Sequence, residues 1–356
     1  MTDTLEYKPN LADTVRRMER FWNMKEPEDR IPVIVHIPGG SRPGLDGYFF
    51  GKPAEYADYA EQAMERRLAI ADDYIPQVTP PYGHAIISAL IGASIVAEAE
   101  TVWSVPFLSD LFSANELRLN WDNIWGERFR ADCEYLLGRA CGKYAVGVYE
   151  IEGVGDTLSA LFGAENIFAD FYEHSAAARA FAARVTDLLI EFGRWGNEHV
   201  GERQNICGGI VTDYGMWMPR GSCCTAEDAT VMCSREYYRE FLKEHTGRLA
   251  RSFTKILIEV HKEGNRHIAE FGRTEGIDAM TVENFMDMDD SHRADMKELL
   301  GSVNFCIYAQ PEHIEQILAF TGTRGVMIMT GAPTVSEANE ILAETKRLTR
   351  KFRKGA

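Results

Sequence analysis

Residues 253–264 read F-T-K-I-L-I-E-V-H-K-E-G. A β-branched and aliphatic run ends in His261, and Glu263 follows two residues later, just before Gly264. Such a run reads as a strand. In extended chain, positions i and i+2 point to one side, so an imidazole and a carboxylate are expected to leave the strand end together. That pair suits a divalent metal or a shared proton.

Outward from this strand, short apolar runs alternate with amphipathic stretches. The candidate strands are Ile31–Ile37, Tyr74–Thr79, Tyr144–Ile151, Cys207–Tyr214, Phe253–His261, Ile277–Val282, Val303–Tyr308 and Val326–Met329. Helical character fills 55–71, 124–139, 175–199, 235–251, 292–300, 311–320 and 335–351. Strands that alternate with helices imply parallel pairing, because each crossover needs a covering helix. Eight such strands in an α/β chain fit a (β/α)8 TIM barrel better than an open doubly wound sheet. A doubly wound sheet would be helped by a phosphate-binding turn after the first strand, and Gly39-Gly40-Ser41-Arg42 has neither nucleotide-binding spacing. Met1–Arg30 is expected as an N-terminal helical extension, and Ser94–Trp103 as a small β excursion. No low-complexity linker divides the chain, so one domain is expected over residues 1–356.

Composition narrows the function. A formal charge of −16 repels a phosphate backbone and argues against nucleic acid. No run approaches the roughly 20 apolar residues of a membrane span, and the start M-T-D-T-L-E-Y-K has no apolar signal core. Cytoplasm is the expected compartment. The seven cysteines are scattered without a C-x-x-C, so no disulfide scaffold is expected.

In a barrel of this kind, reactive groups sit where strands run into the following loops. Those positions hold His36, Tyr82, His84, Glu152, Asp156, Asp213, Tyr214, Trp217, Asp228, His261, Glu263, Glu283, Cys306 and Tyr308. The rim is poor in Lys and Arg, which disfavours a polyanionic substrate. His36, Tyr82, Tyr214 and Trp217 are read as substrate-binding, the aromatics suiting a flat apolar ligand. Plainer readings stand beside these. Tyr214 and Trp217 also suit closure of the barrel top, Asp156 and Asp228 suit helix starts, and Cys306 suits packing in an apolar strand. Cys223–Cys224 reads as a turn lining the pocket.

Three blocks carry a resemblance. Residues 151–174 read I-E-G-V-G-D-T-L-S-A-L-F-G-A-E-N-I-F-A-D-F-Y-E-H, residues 224–241 read C-T-A-E-D-A-T-V-M-C-S-R-E-Y-Y-R-E-F, and residues 258–264 read I-E-V-H-K-E-G. In order and spacing these resemble the uroporphyrinogen decarboxylase superfamily over about residues 70–330. That group includes the decarboxylase of haem synthesis and zinc-dependent, corrinoid-linked methyltransferases, and the resemblance implies the same barrel. The haem-pathway enzyme's Arg-rich M-R-Q-A-G-R loop is replaced here by H-I-P-G-G-S-R-P at 36–43, so the chain is closer to the methyltransferase-like members.

Those members bind zinc through H-x-C and a late Cys. Here Glu263 stands in place of the first Cys, and T-G-A-P-T at 330–334 has no second. The resemblance therefore implies a mixed zinc site of His261, Glu263 and Cys306, with Asp228 as an assisting acid. The expected reaction moves a methyl group from a small methylated substrate, an aromatic methyl ether being the candidate (O-demethylation), to cobalt. The corrinoid would come on a partner protein, since the chain lacks the D-x-H-x-x-G cobalamin signature. The alternative is a metal-free decarboxylase or lyase acting on another acid. A non-catalytic binding protein is the third reading. A homodimer is a further expectation of the resemblance.

Overall fold

The structure, a computed structural model, describes residues 3–38, 49–98, 102–111 and 116–353. The Gly39-Gly40-Ser41-Arg42 segment lies outside the described residues. The strands are β1 (Val33–His36), β2 (Gln77–Val78), β3 (Ser94–Ala97), β4 (Val102–Val105), β5 (Ala145–Val146), β6 (Gly209–Val211), β7 (Trp217–Pro219), β8 (Cys223–Ala226), β9 (Ile256–Glu259), β10 (Ala279–Val282), β11 (Asn304–Tyr308) and β12 (Val326–Gly331). Every expected strand region holds one of them.

Six strands form a parallel sheet in the order β1-β12-β11-β10-β9-β8. β2 and β5 form a separate parallel pair. Past β5, Ile151 bridges to Thr225 of β8 in the parallel sense. On the other side, the Asp73 amide donates to the Val33 carbonyl of β1 at 2.7 Å. The order of segments is barrel-like, but among the described residues the ladder is not continuous around it. The expected closed barrel is thus seen as an α/β fold with a six-stranded parallel sheet.

Burial explains the sheet. Val33, Ile34 and Val35 of β1 and Ile256, Leu257 and Ile258 of β9 are all fully buried. A strand buried on both faces is typical of a parallel sheet covered by helices. Each such side chain contributes about 1.5–3 kcal/mol relative to exposure. The N-terminal extension forms the helix Leu11–Trp22, whose Val15, Met18, Phe21 and Trp22 are buried. Trp22 Nε1 donates to the Trp217 carbonyl at 2.9 Å and pins the helix to the sheet. The excursion is the antiparallel pair β3–β4.

Two readings need correction. The run Cys207–Tyr214 is split: Thr212 bridges in parallel to Val148, as a barrel strand would, but its β6 folds back onto β7 as an antiparallel pair. The reversal runs through Gly215 at φ +71°, where a Cβ would lie 2.3 Å from the Tyr74 ring, so glycine is required. Cys223 and Cys224 do not form a pocket turn but open β8, which pairs with β9 through Cys223↔Ile256 and Cys224↔Leu257. Both thiols are buried.

Candidate active site

Strand ends and the loops after them build one cluster. β8 ends at Ala226, so Glu227 and Asp228 follow immediately, and Asp228 opens a 3-10 turn over Asp228–Met232. The segment after β5 ends in Glu150 and Glu152 before the helix Val154–Phe162. These two loops clamp each other. Glu227 accepts from the Val154 amide at 3.0 Å and the Gly155 amide at 3.1 Å, while Asp156 accepts from the Asp228 amide at 3.0 Å and the Ala229 amide at 2.5 Å. A carboxylate at unpaired N–H groups of a helix start is stabilised by charge and dipole together. A Cβ on Gly153 would stand 1.9 Å from the Ala226 carbonyl oxygen, so only glycine lets the loops meet. Asp156 is thereby a loop clamp.

Asp228 and His261 do come together, as the sequence suggested. His261 Nε2 lies 3.5 Å from Asp228 Oδ2, and its Nδ1 lies 3.2 Å from Glu283 Oε1. The Lys262 amide holds the other Glu283 oxygen at 3.2 Å. The hydrogen bond to Glu283, opposed by burial and helped by the Asp228 and Glu259 charges, raises the His261 imidazole to about 9. Burial, and then repulsion from Asp156, pushes the Asp228 carboxyl up to about 7. His261 and Asp228 each keep 46% of their side-chain surface exposed, so both can meet a ligand.

Deeper in, His84 Nε2 lies 2.9 Å from Glu150 Oε2, and the Tyr214 hydroxyl donates to the same oxygen at 2.8 Å. Burial opposes the His84 charge, but the Glu150 bond and charge outweigh it and raise the ring to about 10. Glu259 stands two residues before His261. Burial and then the Glu150 charge push it up to about 7, with a Tyr214 hydrogen bond acting the other way. Burial raises Glu152 to about 7, although Thr157 donates to it at 3.0 Å. Burial also raises Glu227 to about 8, with Asp156 repulsion adding to it. No Arg or Lys stands among the principal charges acting on Glu152, Asp228 or Glu259.

Beside this cluster lies a cavity of about 640 Å³, sharing Glu283 and Tyr308 and walled by Phe285, Met286, Ile317 and Met329. That volume suits a small molecule. His36 lines it at the end of β1, with its side chain exposed.

Other expected site residues fall elsewhere. Tyr82 is fully buried, stacked on Phe50 with ring centroids 4.8 Å apart, and its hydroxyl donates to Asp132 at 2.7 Å. It is a core residue. Trp217 is 4% exposed and gives its Nε1 hydrogen to the Ile206 carbonyl at 2.9 Å, so it packs and does not line the site. The set His261, Glu263 and Cys306 is not assembled. The strand stops at Glu259, and Glu263 lies exposed on the 3-10 turn Lys262–His267, so the i, i+2 geometry does not hold. Cys306 is fully buried in β11, between Thr281 and Met327, with its thiol pushed up by burial. Among the described residues, three ligating atoms approach within 4.8 Å of one another only at Asp170, Glu173 and His174, on the helix Ala164–Glu173 and its C-terminal edge. Zinc through His261, Glu263 and Cys306 therefore does not fit this arrangement.

Sequence reading missed Glu150, Glu227 and Glu259. Glu259 carried a usable signal, since it sits at i−2 from His261 in the same extended run.

No family model matches the sequence, and no curated protein matches it. Among solved structures, 22 chains match. One is a methyltransferase from Methanosarcina mazei, with a TM-score of 0.64 and 14% identity, the alignment covering 96% of this chain and 98% of that one. At this identity the likeness concerns the fold, and it extends along nearly the whole of both chains.

Proposed function

We propose that the cluster around Asp228, His261 and Glu259 is the active site of a methyltransferase of the uroporphyrinogen decarboxylase-like group. It moves a methyl group from a small methylated compound to the cobalt of a corrinoid on a partner protein. The observation that carries this reading is the His261 ring, half exposed and held between Asp228 and Glu283. The full-length likeness to a methyltransferase supports the transferase class.

A corrinoid brought by the partner would supply the nucleophile for the methyl carbon. The chain's own residues deal with what is left. The donor's heteroatom keeps the bonding electrons and becomes basic. His261, charged up to about 9, loses its proton only to a stronger base, such as a released amine or phenoxide. Asp228, at about 7, exchanges protons with solvent and restores the imidazolium. Glu283 fixes the ring through Nδ1. The neighbouring cavity holds the body of the donor, with Tyr308 in its wall.

Decarboxylation of another acid ranks second. A carboxylate substrate would enter beside Glu150, Glu152, Asp228 and Glu259, where the principal charges include no Arg or Lys to receive it.

The test is single-turnover methylation of a cobalt(I) corrinoid, followed by its absorbance change, over a panel of methyl ethers and methylated amines. We expect His261→Ala to slow the step by about 10²–10⁴-fold, the usual worth of a positioned acid. Unchanged single-turnover rates in that variant, with the wild type active, would sink the assignment.

A further inference from the structure

From the innermost part of the cluster we infer that Glu150, Glu259 and Tyr214 form a receptor for an organic cation, so that the methyl donor is a methylated ammonium compound. This rests on the methyltransferase reading for the fate of the methyl group, but the binding site is argued on its own geometry.

Glu150 is 2% exposed, and its two oxygens are treated unequally. Oε2 receives both His84 and Tyr214, while the buried Oε1 has no hydrogen-bond partner among the described residues. An unpaired carboxylate oxygen in the interior costs on the order of 1–3 kcal/mol unless something fills the gap. Glu259, 9% exposed, lies close enough that Glu150 is the leading charge acting on it. His84 balances one negative charge. The second carboxylate has no cation of the chain among its principal partners beyond the two histidines. A positively charged guest would meet Oε1 and let Glu259 ionise beside it.

The geometry also selects the kind of cation. Ligands of a bound metal sit about 2.0–2.6 Å from the ion and therefore crowd together. No three ligating atoms of Glu150, Glu259, His84 or Asp228 approach within 4.8 Å of one another. A methylated ammonium is larger, spreads its charge over its methyl hydrogens and tolerates such spacing. Tyrosine rings add attraction for such a group, and Tyr214 and Tyr308 both feel the Glu259 charge. The cavity walled by Phe285, Met286, Ile317 and Met329 then takes the remainder of the donor.

The experiment is titration calorimetry on the whole chain with choline and with its uncharged isostere 3,3-dimethylbutan-1-ol. Choline is expected to bind, and the isostere to bind at least about tenfold more weakly. Glu150→Gln and Glu259→Gln are each expected to weaken choline by about tenfold or more, with thermal unfolding recorded to show that the variants fold. The isostere comparison needs no variant and stands if either one misfolds. Equal binding of the two probes, or full choline affinity in both variants, overturns the inference. A zinc titration whose heat vanishes in Glu150→Gln, beside none for choline, reassigns the site to a metal and also overturns it. Choline binding without cobalt methylation leaves the receptor standing and sinks the transfer. Methylation from an uncharged donor without choline binding does the reverse.

Discussion

Two buried acid clusters in this molecule are treated in opposite ways. Beside the start of β1, Asp72 and Asp73 are fully buried and met by four cations. Lys8 lies 3.4 Å and Arg67 2.7 Å from Asp72, Arg17 lies 2.8 Å from Asp73, and Arg30 also pairs with Asp73. The Val33 and Val35 amides complete the set at 2.8 and 2.9 Å. Burial would raise Asp73, but Arg30, Arg17 and Lys8 outweigh it and hold its carboxyl below the ordinary value. At the strand ends the balance is reversed. Glu150, Glu152, Glu227 and Glu259 are also buried, yet the cations among the principal charges acting on Glu152 and Glu259 are half-exposed histidines and Glu227 has none, and Glu152, Glu227 and Glu259 are pushed up to between about 7 and about 8. The first cluster ties the N-terminal helix to the sheet. The second holds unbalanced charge behind the half-exposed His261 and Asp228, as functional sites do.

The sharpest way to break this contrast is to remove one acid from each cluster. Asp73→Asn leaves Arg17 and Arg30 buried beside a neutral amide, and removing one partner of a buried pair typically costs about 3–5 kcal/mol. Urea unfolding should register that loss. Glu259→Gln removes repulsion from Glu150 and is expected to leave stability unchanged or raise it by up to about 1 kcal/mol. Equal destabilisation by both substitutions would erase the distinction between the clusters.

Acidity sharpens the same contrast through its sign. Asp73 has a lowered folded value, so its stabilisation is present above the unfolded carboxyl value near 4 and is lost as pH falls through the folded value. Glu259 and Glu152 have raised folded values of about 7. Between roughly pH 4.5 and 7 the folded chain then binds more protons than the unfolded one, so stability falls as pH rises. Each such group is expected to contribute on the order of 1 kcal/mol per pH unit at most. Urea midpoints at pH 5 and pH 8 should show the decline in the wild type and a smaller one in Glu259→Gln. A wild-type protein more stable at pH 8 than at pH 5 would contradict the charge balance drawn for the strand ends.

What the sequence revealed follows from what each signal depends on. The strands β9, β10, β11 and β12 were legible because a strand buried on both faces needs an unbroken apolar run. β8 was not, since C-C-T-A between Ser222 and Glu227 is short and without bulky residues, and its place comes from pairing with Ile256–Glu259. Cys207–Tyr214 was legible only in part, because an apolar triplet does not show that it pairs with its own return strand as well as bridging in parallel through Thr212 to Val148. At the site, Asp228, His261 and Glu283 were found as strand-end residues. Glu259 was passed over although extended geometry places it with His261, because the same rule was applied forward to Glu263, past the point where the strand ends. Tyr82 and Trp217 looked like ligand-binding aromatics, and only tertiary packing distinguishes a rim aromatic from a core one.

The smallest expected effects on activity belong to the residues the structure separates from the cluster, and they matter because a null result is informative. Glu263 is exposed on its 3-10 turn, and surface substitutions of that kind usually stay within about 0.5 kcal/mol. Cys306 is enclosed between Thr281 and Met327, where serine keeps the volume but adds a buried hydroxyl, at a cost of about 1–3 kcal/mol. Neither side chain reaches His261 as a co-ligand. Elemental analysis should therefore find the same zinc content in the wild type, Glu263→Ala and Cys306→Ser, and cobalt methylation should proceed at rates within about twofold, well inside what loss of a positioned acid would cause. Zinc near one per chain in the wild type and absent from both variants would mean that the loop after β9 rearranges to bring Glu263 and Cys306 to His261. The strand-end cluster would then be a metal centre, and its unbalanced acidity would belong to the ion instead of an organic cation.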